Sequence, residues 1–94
     1  MTADEFDASA AELTTVVSGD ERQHAPIKDM IHSTAELVAY ASIWTTLQPG
    51  DVIATGTPGG VGYARKPPAL LQPGDTVDVT ITGIGTLTNP VVAE

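Results

Sequence analysis

The 94 residues carry twelve acids against four Lys and Arg, a formal net charge of −8, and no cysteine. That balance argues against a nucleic-acid partner, whose phosphates call for clustered cations, and the missing cysteines exclude disulfides and thiolate metal sites. No apolar run approaches the ~18–20 residues of a membrane-spanning helix, and the acidic start Met1-Thr-Ala-Asp-Glu-Phe-Asp7 lacks the basic and apolar parts of a signal peptide. The expectation is a cytoplasmic protein with no membrane partner.

Residues 1–12 are acidic and Ala-rich without periodicity and read as an N-terminal lead-in, with the folded unit at 13–94. Leu13-Thr-Thr-Val-Val-Ser18 is short and β-branched. With Glu21-Arg-Gln-His24 it predicts a hairpin turned at Gly19-Asp20, a pair suited to positive φ. Ser33-Thr-Ala-Glu36 is a capping box. Leu37, Tyr40, Ala41 and Trp44 follow at three- and four-residue spacing, which predicts a short helix ending near Thr46 with that face packed on the sheet.

Leu47-Gln-Pro-Gly-Asp51 then recurs as Leu71-Gln-Pro-Gly-Asp75. Pro presets the first φ of a type II turn and Gly supplies the positive second one. Each Asp is expected to bond its own turn amides, and each copy to launch a strand, at 52–55 and 76–82. In the second strand Val77, Val79 and Ile81 alternate with Asp78, Thr80 and Thr82, so one face is buried and the other wet. Between the strands lies a long Gly- and Pro-rich loop from Gly56 to Pro68. A last strand at 86–92, with a turn at Asn89-Pro90, closes a mainly β chain with one helix.

The Gly-rich loop does not match a phosphate cradle. No glycine has the Gly-Lys-Ser/Thr partner of a P-loop, and a Gly-x-Gly-x-x-Gly starting at Gly60 meets Arg65 where its third glycine belongs. His24 and His32, eight apart with a proline between, make no helical metal pair. Without a Glu-x-Glu or Asp-x-Asp pair, a self-contained Mg²⁺ site is not expected, since it needs several convergent oxygens. Ser33 reads as a cap rather than a nucleophile. Thr55-Gly-Thr-Pro58 keeps two readings open. It is either a turn whose hydroxyls bond their own backbone, or one that offers a hydroxyl and amides to a carboxylate or enolate oxygen.

Met30-Ile31, Glu36-Leu-Val-Ala-Tyr-Ala-Ser42, Leu47-Gln-Pro-Gly-Asp-Val-Ile-Ala-Thr-Gly-Thr-Pro-Gly-Gly-Val-Gly62, Leu71-Gln-Pro-Gly-Asp75 and Gly83-Ile-Gly-Thr-Leu-Thr-Asn-Pro-Val91 occur in that order. Together they make the chain from Leu13 to Val92 resemble the C-terminal part of the fumarylacetoacetate hydrolase superfamily. Its 2-hydroxyhepta-2,4-diene-1,7-dioate isomerase and acylpyruvate hydrolase-like members are the nearest in kind. The resemblance implies part of a mixed β-roll fold and, in the full-length form, a homodimer. It also implies Mg²⁺- or Mn²⁺-dependent hydrolysis, decarboxylation or isomerisation of small 2-oxo or 1,3-dioxo (di)acids through an enolate-type intermediate.

The family's metal ligands, a Glu-x-Glu pair and a later Asp, lie upstream of the matched region. The resemblance therefore implies no metal ligand and no catalytic residue among these 94. It places Thr57 on the polar end of the substrate, beside Gly56, which keeps the backbone close; Thr55 is the candidate for a purely structural role. Ser18 stands where the family usually has Asn, and Ala25-Pro-Ile-Lys28 replaces a Gly-Asn-Thr-Ser-like stretch. Two expectations result: the substrate-binding portion of such an enzyme, or a non-catalytic truncated β module acting only through association.

Overall fold

β1 (Glu12–Val17) turns back into β2 (Asp20–Pro26) in a computed structural model that describes residues 1–94. The ladder closes at Val17 opposite Asp20, so the two turn residues are Ser18 and Gly19 rather than Gly19 and Asp20. Their φ angles, 48° and 83°, are both positive, as in the primed turn that matches the twist of paired strands. Ser18 holds this left-handed conformation against three bonds. Its amide donates to the Thr76 carbonyl at 2.8 Å, its hydroxyl donates to Asp75 Oδ1 at 2.9 Å, and the Thr76 amide donates to Ser18 Oγ at 3.2 Å.

β3 (Thr76–Ile81) and β4 (Gly85–Pro90) complete one antiparallel sheet in the order β2-β1-β3-β4. Residues paired across a ladder share a face, and the registers sort the side chains as the alternation in β3 requires. Leu13, Val17, Val77, Val79, Ile81 and Leu87 fall on one face. The other carries the row His24, Thr14, Thr80 and Thr86, where Thr14 Oγ1 lies 2.9 Å from His24 Nδ1 and the Thr80 and Thr86 hydroxyls lie 2.8 Å apart. Asn89 and Pro90 do not form the expected turn. They continue β4 opposite Val77 and Thr76. Pro90 is tolerated there because it ends an edge strand, where no neighbour asks for its missing N–H.

Both Pro-Gly turns form as the repeat predicts, with Gly50 at φ 94° and Gly74 at φ 96°. Their hydrogen bonds match. The Gln48 and Gln72 amides donate to the Asp51 and Asp75 carboxylates at 2.8 and 2.9 Å, and each Asp amide returns a 3.0 Å bond to the Gln carbonyl. Only the second turn launches a strand. Residues 52–55 join no ladder, and Val52 is 90% exposed. β-branched composition favours strand backbone, but a strand also needs a neighbour to receive its amides and carbonyls. None of the four strands is aligned with this segment.

α1 (Thr34–Trp44) starts at the capping box: the Glu36 amide donates to Ser33 Oγ at 3.2 Å and the Ser33 amide to Glu36 Oε1 at 3.1 Å. The expected packing of its Leu37/Tyr40/Ala41/Trp44 face on the sheet does not occur. Trp44 is 75% exposed, and it meets Tyr40 edge-on with ring centroids 6.5 Å apart. Val38 and Ile43 point away from that face, so the helix has no single apolar stripe to direct its docking.

Ala11 and Val17 are the two buried residues. A compact chain of this mass, 9.7 kDa, exposes about 5,100 Å², and this one exposes 7232 Å². The 15.6 Å radius of gyration likewise exceeds the ~12 Å of a compact domain of this length. The packed core expected for the composition is therefore absent, and much of the apolar surface lies bare.

Candidate functional site

The site begins with an irregularity in β2. Thr15 pairs with Gln23 and Val16 with Glu21, which makes Arg22 the extra residue of a β-bulge. A bulge leaves backbone groups unpaired and re-aims the chain. Arg65 uses the freed carbonyl: its Nη2 donates to Arg22 O at 2.7 Å and its Nε to Gly60 O at 3.2 Å. Arg22 reciprocates, donating from Nη1 to Ala69 O at 3.3 Å and from Nε to Asp20 Oδ2 at 2.7 Å. The two arginines thus bind the loop between Gly56 and Ala69 to the bulged strand.

This attachment explains glycines that a phosphate cradle does not. A Cβ on Gly60, whose φ is 101°, would collide with the Arg22 carbonyl oxygen, and one on Gly62 with the Ala69 carbonyl oxygen. Gly56 differs. Its φ of 92° demands glycine, yet a Cβ there would meet nothing within 4 Å. Gly56 is thus required by its backbone angle, and no part of this chain presses on it.

The loop leads Thr55, Gly56, Thr57 and Pro58 to the rim of a cleft of about 1150 Å³. The sheet contributes Leu13, Gln23, Ala25 and Ile81 to its wall, and α1 contributes Leu37. Gln23 holds the turn in place. Its Nε2 donates to Thr57 Oγ1 at 2.8 Å and to Pro58 O at 3.1 Å. The Thr57 hydroxyl is therefore engaged across the fold and not by its own turn.

His24 and His32 also line the cleft. His24 lies 3.4 Å from Glu12 and 3.8 Å from Glu21, and His32 Nδ1 lies 3.7 Å from Glu36. The Glu36 carboxyl is held below the usual range, first by the Ser33 amide, then by the Ser33 hydroxyl and more weakly by His32. Ser33 is occupied as a cap.

No three His, Asp or Glu side chains converge where a cation could be held. The acids lining the cleft are Glu21 and Asp29, fewer than the oxygen shell of a hard divalent ion requires. The residues present do not fit a Mg²⁺ or Mn²⁺ centre. No helix is long and apolar enough to cross a membrane.

Gln23, Arg22 and Arg65 escape sequence reasoning as site residues. Gln23 and Arg22 lie in β2, and nothing local marks partners 34 to 47 residues away.

Residues 1–92 match the family model described as fumarylacetoacetate (FAA) hydrolase C-terminal. The oxaloacetate tautomerase YisK of Bacillus subtilis is 48% identical over 79 residues, which cover 84% of this chain and 26% of the tautomerase. A fumarylacetoacetate hydrolase from Exiguobacterium antarcticum superposes with a TM-score of 0.94 at 46% identity, over 100% of this chain and 34% of that one. Maleylpyruvate hydrolase from Sphingobium sp. SYK-6, in complex with manganese(II) and pyruvate, gives a TM-score of 0.85 at 38% identity, over 98% of this chain and 33% of the hydrolase. The chain spans between 26% and 30% of the length of curated relatives it matches.

Proposed function

This chain belongs to the fumarylacetoacetate hydrolase family, and from that premise we propose that it is the substrate-binding portion of a metal-dependent hydrolase or isomerase. The substrates are small 2-oxo or 1,3-dioxo (di)acids, and the reaction passes through an enolate-type intermediate. The observation that carries this reading is the Thr57 hydroxyl, held by Gln23 at the rim of the cleft. Thr57 takes an anionic oxygen of the substrate, and Gly56 lets the backbone turn there. Leu13, Ala25, Ile81 and Leu37 form a wall that limits water around the bound acid. The Lewis acidity that a divalent metal would supply in such an enzyme would have to be held by residues outside these 94. The bare apolar side chains of Ile31, Val52 and Trp44 offer surface for the remaining length of such an enzyme.

The test is made in the full-length enzyme. Thr57→Val keeps the β-branched shape and removes a hydrogen bond to a charged group. With such a bond contributing about 1.5–3 kcal/mol, kcat/KM falls about 10- to 100-fold on oxaloacetate or an acylpyruvate. Thr55→Val is the control and leaves kcat/KM within about twofold. Equal, small effects at the two positions defeat the reading.

The same bare surface favours a second reading, a non-catalytic β module acting through association. A coding sequence that continues upstream into a Glu-x-Glu motif decides for the enzyme.

A further inference from the structure

We propose that Gln23 is a positioning residue that holds the Thr57 hydroxyl as an acceptor and so leaves its proton to be donated to an anionic oxygen of the substrate. This deepens the functional reading above and rests on it. The Gln23 side-chain nitrogen stands 2.8 Å from Thr57 Oγ1 and 3.1 Å from the Pro58 carbonyl oxygen. A carbonyl oxygen only accepts. Turning the amide over would set the Gln23 oxygen against the Pro58 oxygen with no proton between them, so the Pro58 carbonyl fixes which way the amide faces. Both protons of the Gln23 nitrogen are then committed, one to Pro58 and one to Thr57. The Thr57 hydroxyl has one proton, and its bond with Gln23 uses an oxygen lone pair. That proton is free to point away from Gln23, toward the cleft that Thr57 lines.

The partner that makes most of this freed proton is a charged acceptor, a carboxylate or an enolate oxygen. Gln23 reaches the turn because the bulge at Arg22 sets it beside Thr15, on the sheet face from which Leu13 and Ile81 line the cleft.

Four full-length proteins test this: wild type, Gln23→Glu, Thr57→Val and the double variant. Gln23→Glu keeps the shape and replaces the donor with acceptors, which draw the Thr57 proton back from the cleft. KM for oxaloacetate is expected to rise about 10- to 100-fold in either single variant, with kcat within about threefold. The double variant is expected to be no worse than Thr57→Val alone, since both remove the same donated bond. Gln23→Leu, which also frees the hydroxyl to rotate, is expected to raise KM less than Gln23→Glu. An active wild type whose Gln23→Glu variant keeps its KM overturns the inference and leaves the functional reading standing, as does full additivity in the double variant. A wild type that neither turns over nor binds oxaloacetate or pyruvate overturns both.

Discussion

The Ser18 hydroxyl donates to Asp75 Oδ1 at 2.9 Å and ties the turn of the first hairpin to the second Pro-Gly turn, 57 residues further on. The Asp75 carboxyl is held below its ordinary range, first by the Gln72 amide, then by the Ser18 hydroxyl, with a weaker contribution from the Arg22 charge. Asn suits a left-handed turn by itself. Ser18 suits it through this bond.

Asp75 and Glu36 both have depressed pKa values. Stability from a depressed carboxylate is complete above the unfolded pKa of about 4 and is lost as pH falls through the folded value. Urea midpoints of the chain are therefore expected to fall below pH 4. Asp75→Asn should lower the midpoint at pH 7 and flatten that acid dependence. Ser18→Ala should do the same in part. An unchanged acid limb in Asp75→Asn contradicts the assignment.

Gly60→Ala is expected to detach the loop. The φ of 101° alone makes a side chain cost about 1–3 kcal/mol, and the collision with the Arg22 carbonyl adds to it. Gly59→Ala is the matched control, because a Cβ there meets nothing within 4 Å. Limited proteolysis between residues 56 and 69 should accelerate in the first variant and not in the second.

Ser33→Ala removes the cap of α1 and should cost about 1 kcal/mol. Trp44→Ala should change stability by no more than about 0.5 kcal/mol, because the ring is exposed. Tryptophan emission of the 94-residue chain should sit at the wavelength of a solvated indole. A blue-shifted maximum means that something covers α1.

Calorimetry of the 94-residue chain with Mg²⁺ or Mn²⁺ should detect no stoichiometric site of micromolar affinity, because its acids do not converge. A tight site would show that Glu21, Asp29 or other acids gather in solution as they do not here.

Features set by neighbouring residues were legible in the sequence. The capping box, both Pro-Gly turns and the bond from each Asp to its own turn amide join residues three apart, and their partners are dictated by spacing alone. The alternation of β3 sorted its side chains between two faces, but the apolar face is not buried as expected: Asp78 and Thr80 are half-buried like Val77, Val79 and Ile81. Thr57 and Gly56 were singled out by resemblance, and physics alone left Thr-Gly-Thr-Pro open between a turn and a binding site. Tertiary structure decided the rest. It placed the hairpin turn one residue earlier and put Asn89-Pro90 inside a ladder. It also left residues 52–55 unpaired and α1 undocked. It alone brought Gln23 to Thr57 and crossed Arg22 with Arg65. The reason is physical: a turn bond closes between residues the chain already holds together. A ladder partner, a bulge carbonyl or a buried face depends on groups far apart in sequence, and composition does not say which of them will meet.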